Sequence, residues 1–424
     1  MGRNWIKYTT LTTLGALAFS SCQKKAEDAA STSTPKTLYV ASGQCYSGSG
    51  LTTYTAAQSS RAVTKWNTSN GASLGVFTDL NVGNNVSVGT VPQAMIDKGS
   101  YVLLLTENAT TTGDRKVFKV DKTDTSTYTV YANDPTAFTN TPTHITRSMS
   151  LDADGSMHFS KSLFTERLNT LGVRITKAGA NPWVNPLAAT GNCFGAAAAQ
   201  IQQIAHMAPF TNTNQGKLLY IHAGATATAN RIGAIQRTGL TSATAADCAG
   251  ATAGGVSLIA HTNAPNLSGP VIFSATGPSL TSMVYIPTPA PATTTGKILV
   301  TYSGSVATAF DNNTNFNYGV VMWDITESSD TAVTINNPVI LWRDESILWG
   351  ASAMAYDSTD GSLYVAVGAS PGLVNLTTQN FGYNIEKFTL DIATPKMTRV
   401  APNNQPFIVG NAYTKCISHM MIAD

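Results

Sequence analysis

Charge is scarce in this chain. Only 12% of its 424 residues are Asp, Glu, Lys or Arg, too few to clothe many long surface helices, whose outer faces draw on Glu, Lys and Arg. A basic excess is missing as well. The net charge is +2, and removing residues 1–21 takes away Arg3 and Lys7 and no acid, leaving 24 basic and 24 acidic residues. A nucleic-acid binder needs a basic face, so no nucleic-acid partner is expected. The longest apolar stretch near the N-terminus, residues 9–19, is eleven residues, too short for about 30 Å of hydrocarbon. The sequence has no GxSxG elbow, P-loop, HExxH or dinucleotide fingerprint. It also has no CxxC or close Cys/His spacing of the kind that holds zinc. What is plentiful is Thr, Ala, Ser, Asn and Gly, a composition suited to many short strands joined by polar loops.

One short apolar strand with a methionine in it recurs six times: PQAMID at Met95, TRSMSLD at Met149, IAHMAPF at Met207, LTSMVYI at Met283, ASAMAYD at Met354 and ISHMMIAD at Met420. Five copies are followed by a turn-prone segment and a second strand: YVLLLT, SMHFSK, KLLYIH, KILVTY and SLYVAV. The sixth runs into Asp424, and the strand that would complete it, TLYVAS (37–42), lies near the other end of the chain. Successive methionines are 54, 58, 76, 71 and 66 residues apart, and joining the two ends gives a sixth interval of 62. A third strand follows in each unit (61–67, 115–121, 172–177, 231–237, 318–324 and 383–391). A fourth is legible in units one, two, five and six. In unit four the helix formers of FGAAAAQIQQ (194–203) predict a turn or two of helix before the strand at Met207. Four antiparallel strands repeated radially resemble the blades of six-bladed β-propeller proteins. The resemblance covers residues 37–424 and implies an all-β ring. The first strand of each unit would line the channel, and the first blade would be closed by N-terminal and C-terminal strands together, which removes an exposed edge.

The N-terminus has the logic of a processing signal. Arg3 and Lys7 precede the apolar stretch, and the small residues Ser20 and Ser21 precede Cys22. This resembles the signal peptide of a bacterial lipoprotein, although Phe19 stands where such signals usually have Leu. The resemblance implies a signal at 1–21, lipidation of Cys22, a flexible tether at 22–36, and export to the cell envelope. There the protein would be lipid-anchored at a membrane, the outer membrane first, with ordinary secretion or a periplasmic location as the alternative. The remaining cysteines are four, Cys45, Cys193, Cys248 and Cys416, an even number for an oxidising compartment. Cys416 begins the last strand and Cys45 lies just past TLYVAS. Antiparallel pairing of those strands predicts a Cys45–Cys416 disulfide and leaves Cys193–Cys248.

Candidate chemistry is thin. His206 and His419 each directly precede a methionine, in units that stand opposite in a six-membered ring, and Arg147 lies two before Met149. These three could face a central channel, where they would suit a metal-assisted hydrolase or lyase, but no carboxylate accompanies either histidine locally. Arg343, Asp344, Glu345 and Trp349 form the densest charged and aromatic cluster, on a loop expected at one rim, where a protein, glycan or small ligand could bind. The turns at Asp152–Gly155 and Asp357–Gly361 carry spaced carboxylates. Asp and Gly are what hairpin turns require, whereas a calcium loop needs more ligands, including a bidentate Glu. No cofactor is expected, with calcium at these turns the one alternative. The reading that fits best is an anchored binding or scaffold protein, with the channel-site hydrolase or lyase as the alternative.

Overall fold

The computed structural model describes residues 36–43, 45–47, 53–55, 59–80, 90–108, 115–126, 128–132, 146–152, 154–161, 164–175, 200–207, 217–223, 231–235, 256–257, 279–288, 295–303, 319–329, 332–342, 347–348, 350–368 and 383–424. Among these residues the strands form six four-stranded antiparallel sheets and one two-stranded hairpin, Cys45–Ser47 with Thr53–Thr55. Sheet one comprises Ile417–Ala423, Thr37–Ser42, Ala62–Asn67 and Ser73–Asp79, from inside outward. Sheet two is Val91–Asp97, Tyr101–Glu107, Val117–Asp121 and Tyr128–Ala132. Sheet three is Thr146–Leu151, Met157–Lys161, Phe164–Leu168 and Arg174–Ile175. Sheet four is Gln200–Met207, Lys217–Ala223, Arg231–Ile235 and Val256–Ser257. Sheet five is Ser279–Pro287, Gly296–Ser303, Gly319–Ser329 and Ala332–Trp342. Sheet six is Ala353–Asp357, Ser362–Val367, Asn384–Asp391 and Lys396–Val400. The innermost strand of each sheet touches that of the next, and the cycle returns from sheet six to sheet one. The chain is a β-propeller.

This arrangement explains why the second strands read as almost unbroken apolar runs. A sheet sandwiched between two others buries both of its faces, so strand alternation divides one apolar run between two cores. In TLYVAS, Leu38 and Val40 join the cluster shared with Ala353, Tyr364 and Phe407 of the sheet-six side, while Tyr39 and Ala41 join the cluster with Met95 and Leu104 of sheet two. In YVLLLTE, Val102 and Leu104 face sheet one, and Leu103 and Leu105 face sheet three. Each such fully buried Val or Leu contributes about 1.5–3 kcal/mol. The recurring methionines obey one rule. Met95, Met149, Met283, Met354 and Met420 are buried, each packed against the preceding sheet of the cycle. There an unbranched, adaptable side chain fills the wedge between two twisted sheets.

The ring closes as the split repeat requires. Thr37 pairs with Ala423, Val40 with Met420 and Ala41 with His419, and beyond a bulge Ser42 pairs with Ile417. The Gly43 N–H then donates to the Cys416 carbonyl at 2.9 Å. Cys416 is disulfide-bonded; the side chain of Cys45 lies outside the described residues, as do Cys22, Cys193 and Cys248.

Two expectations need correction. The third strand of sheet three is not 172–177 but Phe164–Leu168, and Arg174–Ile175 is the outer strand. Glu166 and Arg167 within FTERL are both buried and held by ion pairs, to Arg174 and Asp154. Secondly, Gln200 to Gln203 belong to a strand paired with Lys217–Ala223, not to a helix. Pairing with a neighbouring strand overrides a weak local propensity. Among the described residues the outer strands of sheets three and four, which the sequence leaves poorly defined, span two residues each.

Candidate functional site

Strand direction defines two rims. Inner strands begin, second strands end and third strands begin at one rim, which carries Cys416, Glu107, Thr146 and Lys161. The hairpin turns between inner and second strands lie on the opposite rim, together with Lys36, where the chain enters sheet one. The carboxylates of those turns are engaged locally. Asp154 Oδ1 accepts from the Ser156 N–H (2.8 Å) and its Oδ2 from Arg167 (2.9 Å). Asp357 Oδ1 accepts from Lys36 Nζ (2.8 Å) and from the Thr359 N–H (2.9 Å).

The first rim holds a buried charged cluster between sheets two and three. The apolar strand YVLLLTE ends in Glu107, whose side chain is fully buried, as is that of its ion-pair partner Arg115. Arg115 Nε donates to Glu107 Oε1 at 2.5 Å. The Thr146 N–H, at the start of the next inner strand, donates to Oε2 at 2.7 Å, and the Thr146 hydroxyl lies 2.8 Å from the same oxygen. Glu107 thus ties the end of sheet two to the beginning of sheet three. Lys161 sits opposite Thr146 in the register, so it faces the same way. Its Nζ is 3.7 Å from Glu166 Oε1. Glu166, 2% exposed, is gripped by Arg174, with Nε at 3.0 Å from Oε2 and Nη2 at 3.2 and 3.0 Å from the two oxygens.

Electrostatics join these into one cluster. Burial lowers the Lys161 ammonium below its ordinary range; Glu166 opposes this, while Arg174 and Arg115 reinforce it. Burial pushes Glu166 up to about 7, against the pull of Arg174 and Lys161. It raises Glu107 too, against Arg115 and the two Thr146 hydrogen bonds. Desolvation disfavours the charged form of each. The cluster contains three cations and two carboxylates. Arg115 Nη1 and Nη2 are buried and find no acceptor among the described residues. Sheet six shows what is ordinary in this design. There Glu386 of the third strand pairs with Arg399 of the outer strand at 2.8 and 2.7 Å, matching Glu166 with Arg174. That rung holds a sheet together; Lys161 and Arg115 are what sheet three and its neighbour add to it.

Comparison with known proteins supplies no family, since no protein-family profile and no curated protein match the chain. Among solved structures it is similar to a protein of unknown function from Bacteroides caccae, at 11% identity over 92% of this chain and 99% of that one, with a TM-score of 0.43. It is also similar to hydrazine synthase of Kuenenia stuttgartiensis, at 13% identity over 78% and 71%, TM-score 0.37. PorZ, a bacterial surface component of the type-IX secretion system of Porphyromonas gingivalis, matches at 12% identity over 81% of this chain and 38% of its own, TM-score 0.40. The reading of the fold stands on the sheet topology and the closed cycle of inner strands.

Of the candidates read from sequence, Arg147 is buried at the rim end of the inner strand of sheet three, next to Thr146. His419 is opposite Ala41 in sheet one. Its Nδ1 is buried without a hydrogen-bond partner among the described residues, and desolvation pushes the ring down to about 4. His206 lies in the inner strand of sheet four, opposite Leu218, and its side chain is outside the described residues. Arg343, Asp344, Glu345 and Trp349 lie outside them altogether. Among the described residues no three His, Cys, Asp or Glu side chains are grouped to hold a metal. The rim cluster was missed. The signal for it is charge inside strands that should be apolar on both faces: Glu107 closing YVLLLTE, Lys161 closing MHFSK, and Glu166 within FTERL.

Proposed function

We propose that the protein is an exported, lipid-anchored binding protein of a bacterial cell envelope, a six-bladed ring that offers its first rim to a ligand. The observation that carries the binding reading is the buried charged cluster between sheets two and three. Strongly perturbed ionisable groups gathered at a loop-bearing rim are the expected mark of a site. Six four-stranded sheets in a closed cycle support the blade count. The seam of sheet one supports Cys45 as the partner of Cys416, with Cys193–Cys248 as the second bridge.

Lipidation of Cys22 would give this ring an orientation. Lys36 is held by Asp357 and by the Thr359 hydroxyl (2.6 Å) on the second rim, so a tether at 22–36 leaves from the side opposite the cluster. At about 3.3–3.6 Å per extended residue it reaches roughly 50 Å. The anchor would then join the ring on its second rim, away from the cluster. A hydrolase or lyase built on His206, His419 and Arg147 has no specific observation in its favour.

The test is fractionation of cells expressing the full chain and its Cys22→Ser variant, with the intact mass of each. Wild type should sediment with membranes and carry acyl mass on a chain beginning at Cys22, and the variant should not. A mature chain that begins elsewhere, or carries no acyl mass, defeats the anchor.

A further inference from the structure

We propose that the rim between sheets two and three seats the carboxylate of a small ligand on the Nη1–Nη2 edge of Arg115, with Lys161 beside it. This rests on the binding reading above and gives its ligand class.

The argument begins with a half-used guanidinium. Arg115 gives its Nε–H to Glu107, while Nη1 and Nη2, buried, find no acceptor among the described residues. These two nitrogens carry four N–H donors. Buried polar groups in folded proteins are almost always satisfied, and leaving four donors on a cation unmet is costly. A partner is therefore expected at that edge. Charge says what kind. Among the described residues Arg115, Lys161 and Arg174 face two carboxylates, Glu107 and Glu166, which with both carboxylates ionised is an excess of one positive charge. A monoanion balances it, whereas a phosphate dianion reverses its sign. Geometry agrees, since the planar fork of two parallel N–H groups matches the two oxygens of a carboxylate. Lys161 supplies a second positive charge nearby, as its interaction with Arg115 records. A free small acid and the acid group of a uronic sugar share this chemistry.

The experiment is calorimetric titration of the full-length protein in detergent with acetate, D-glucuronate and inorganic phosphate, against sodium chloride at matched ionic strength. Saturable binding of acetate is expected. Arg115→Lys, which keeps the charge and loses the fork, should weaken it by at least about tenfold. Lys161→Met, which leaves the Glu166–Arg174 pair intact, should weaken it several-fold and carries the comparison should Arg115→Lys fail to fold. Glucuronate binding as tightly as acetate assigns the site to sugar acids, and acetate alone to small free acids; either supports the proposal. No saturable binding to the folded wild type, a preference for phosphate, or both variants binding like wild type overturns it. Such a failure leaves the anchor untouched, because that is read from the fractionation of Cys22→Ser.

Discussion

His419→Leu removes a titrating ring from the inner strand of sheet one while keeping a side chain of broadly similar bulk. Desolvation alone holds the wild-type imidazole at about 4 in the folded protein, against 6.5 when unfolded. Between those values the unfolded chain binds a proton that the folded chain refuses, so stability falls as pH falls. The contribution is whole above 6.5 and is lost on the way down to about 4. At about 1.4 kcal/mol per pKa unit the loss is at most about 3 kcal/mol, because the residue as a whole is only part-buried. Glu166 works the other way. Its carboxyl is raised from 4.5 to about 7, so its contribution is whole below 4.5 and is lost as pH rises towards 7. The two ramps oppose each other over nearly the same window, and Glu107, whose carboxyl burial also raises, adds to that of Glu166, so the wild-type profile is a mixture of them. Only a difference exposes them. Urea unfolding of wild type and His419→Leu at half-unit steps from pH 4.5 to 7.5 should show the variant gaining on wild type by about 1.4 kcal/mol per unit as pH falls below 6.5. The m-values should stay equal, so that the gain belongs to stability and not to a change in the surface exposed. Parallel profiles, or a ring that titrates near 6.5 by NMR in the folded protein, would refute the burial argument.

Glu166→Gln should remove its ramp, so that the variant gains on wild type in urea as pH rises from 4.5 to 6.5. A profile parallel to that of wild type would mean that Glu166 titrates as an ordinary carboxylate. Gly172→Ala should cost at least about 2 kcal/mol, since φ is +75° and the new Cβ would lie 2.2 Å from the Tyr131 carbonyl. Gly99→Ala, at φ +78° with nothing within 4 Å, should cost only about 1 kcal/mol. Equal midpoints in urea for the two variants would show that the contact between sheets two and three relaxes freely. Cys416→Ser should cost about 2–4 kcal/mol, read from thermal unfolding with and without reductant. Peptide mapping without reductant should link Cys45 to Cys416, and an unlinked Cys45 would move the staple away from the seam.

The seam and the inner strands were legible in the sequence because each leaves a mark that survives loops of any length. A strand buried on both faces must be apolar at consecutive positions, and a unit split between the two ends of the chain leaves one interval that matches the others only when the ends meet. Sheet three was misread for the converse reason. Its third strand contains Glu166 and Arg167, and a rule that equates charge with solvent assigns such a segment to a loop and moves the third strand on to 172–177. In a chain with 12% charged residues the inference runs better the other way. Where charge is rare and the architecture buries both faces, a charged residue inside a strand must meet a partner across the sheet or in its neighbour. Glu166 finds Arg174, Glu386 finds Arg399 and Glu107 finds Arg115. Two of these are complete pairs between third and outer strands. The remaining one leaves half a guanidinium unanswered beside Lys161, and no periodicity could have announced it. It depends on which residues two sheets bring to the same rim, and that is fixed only when the ring is closed.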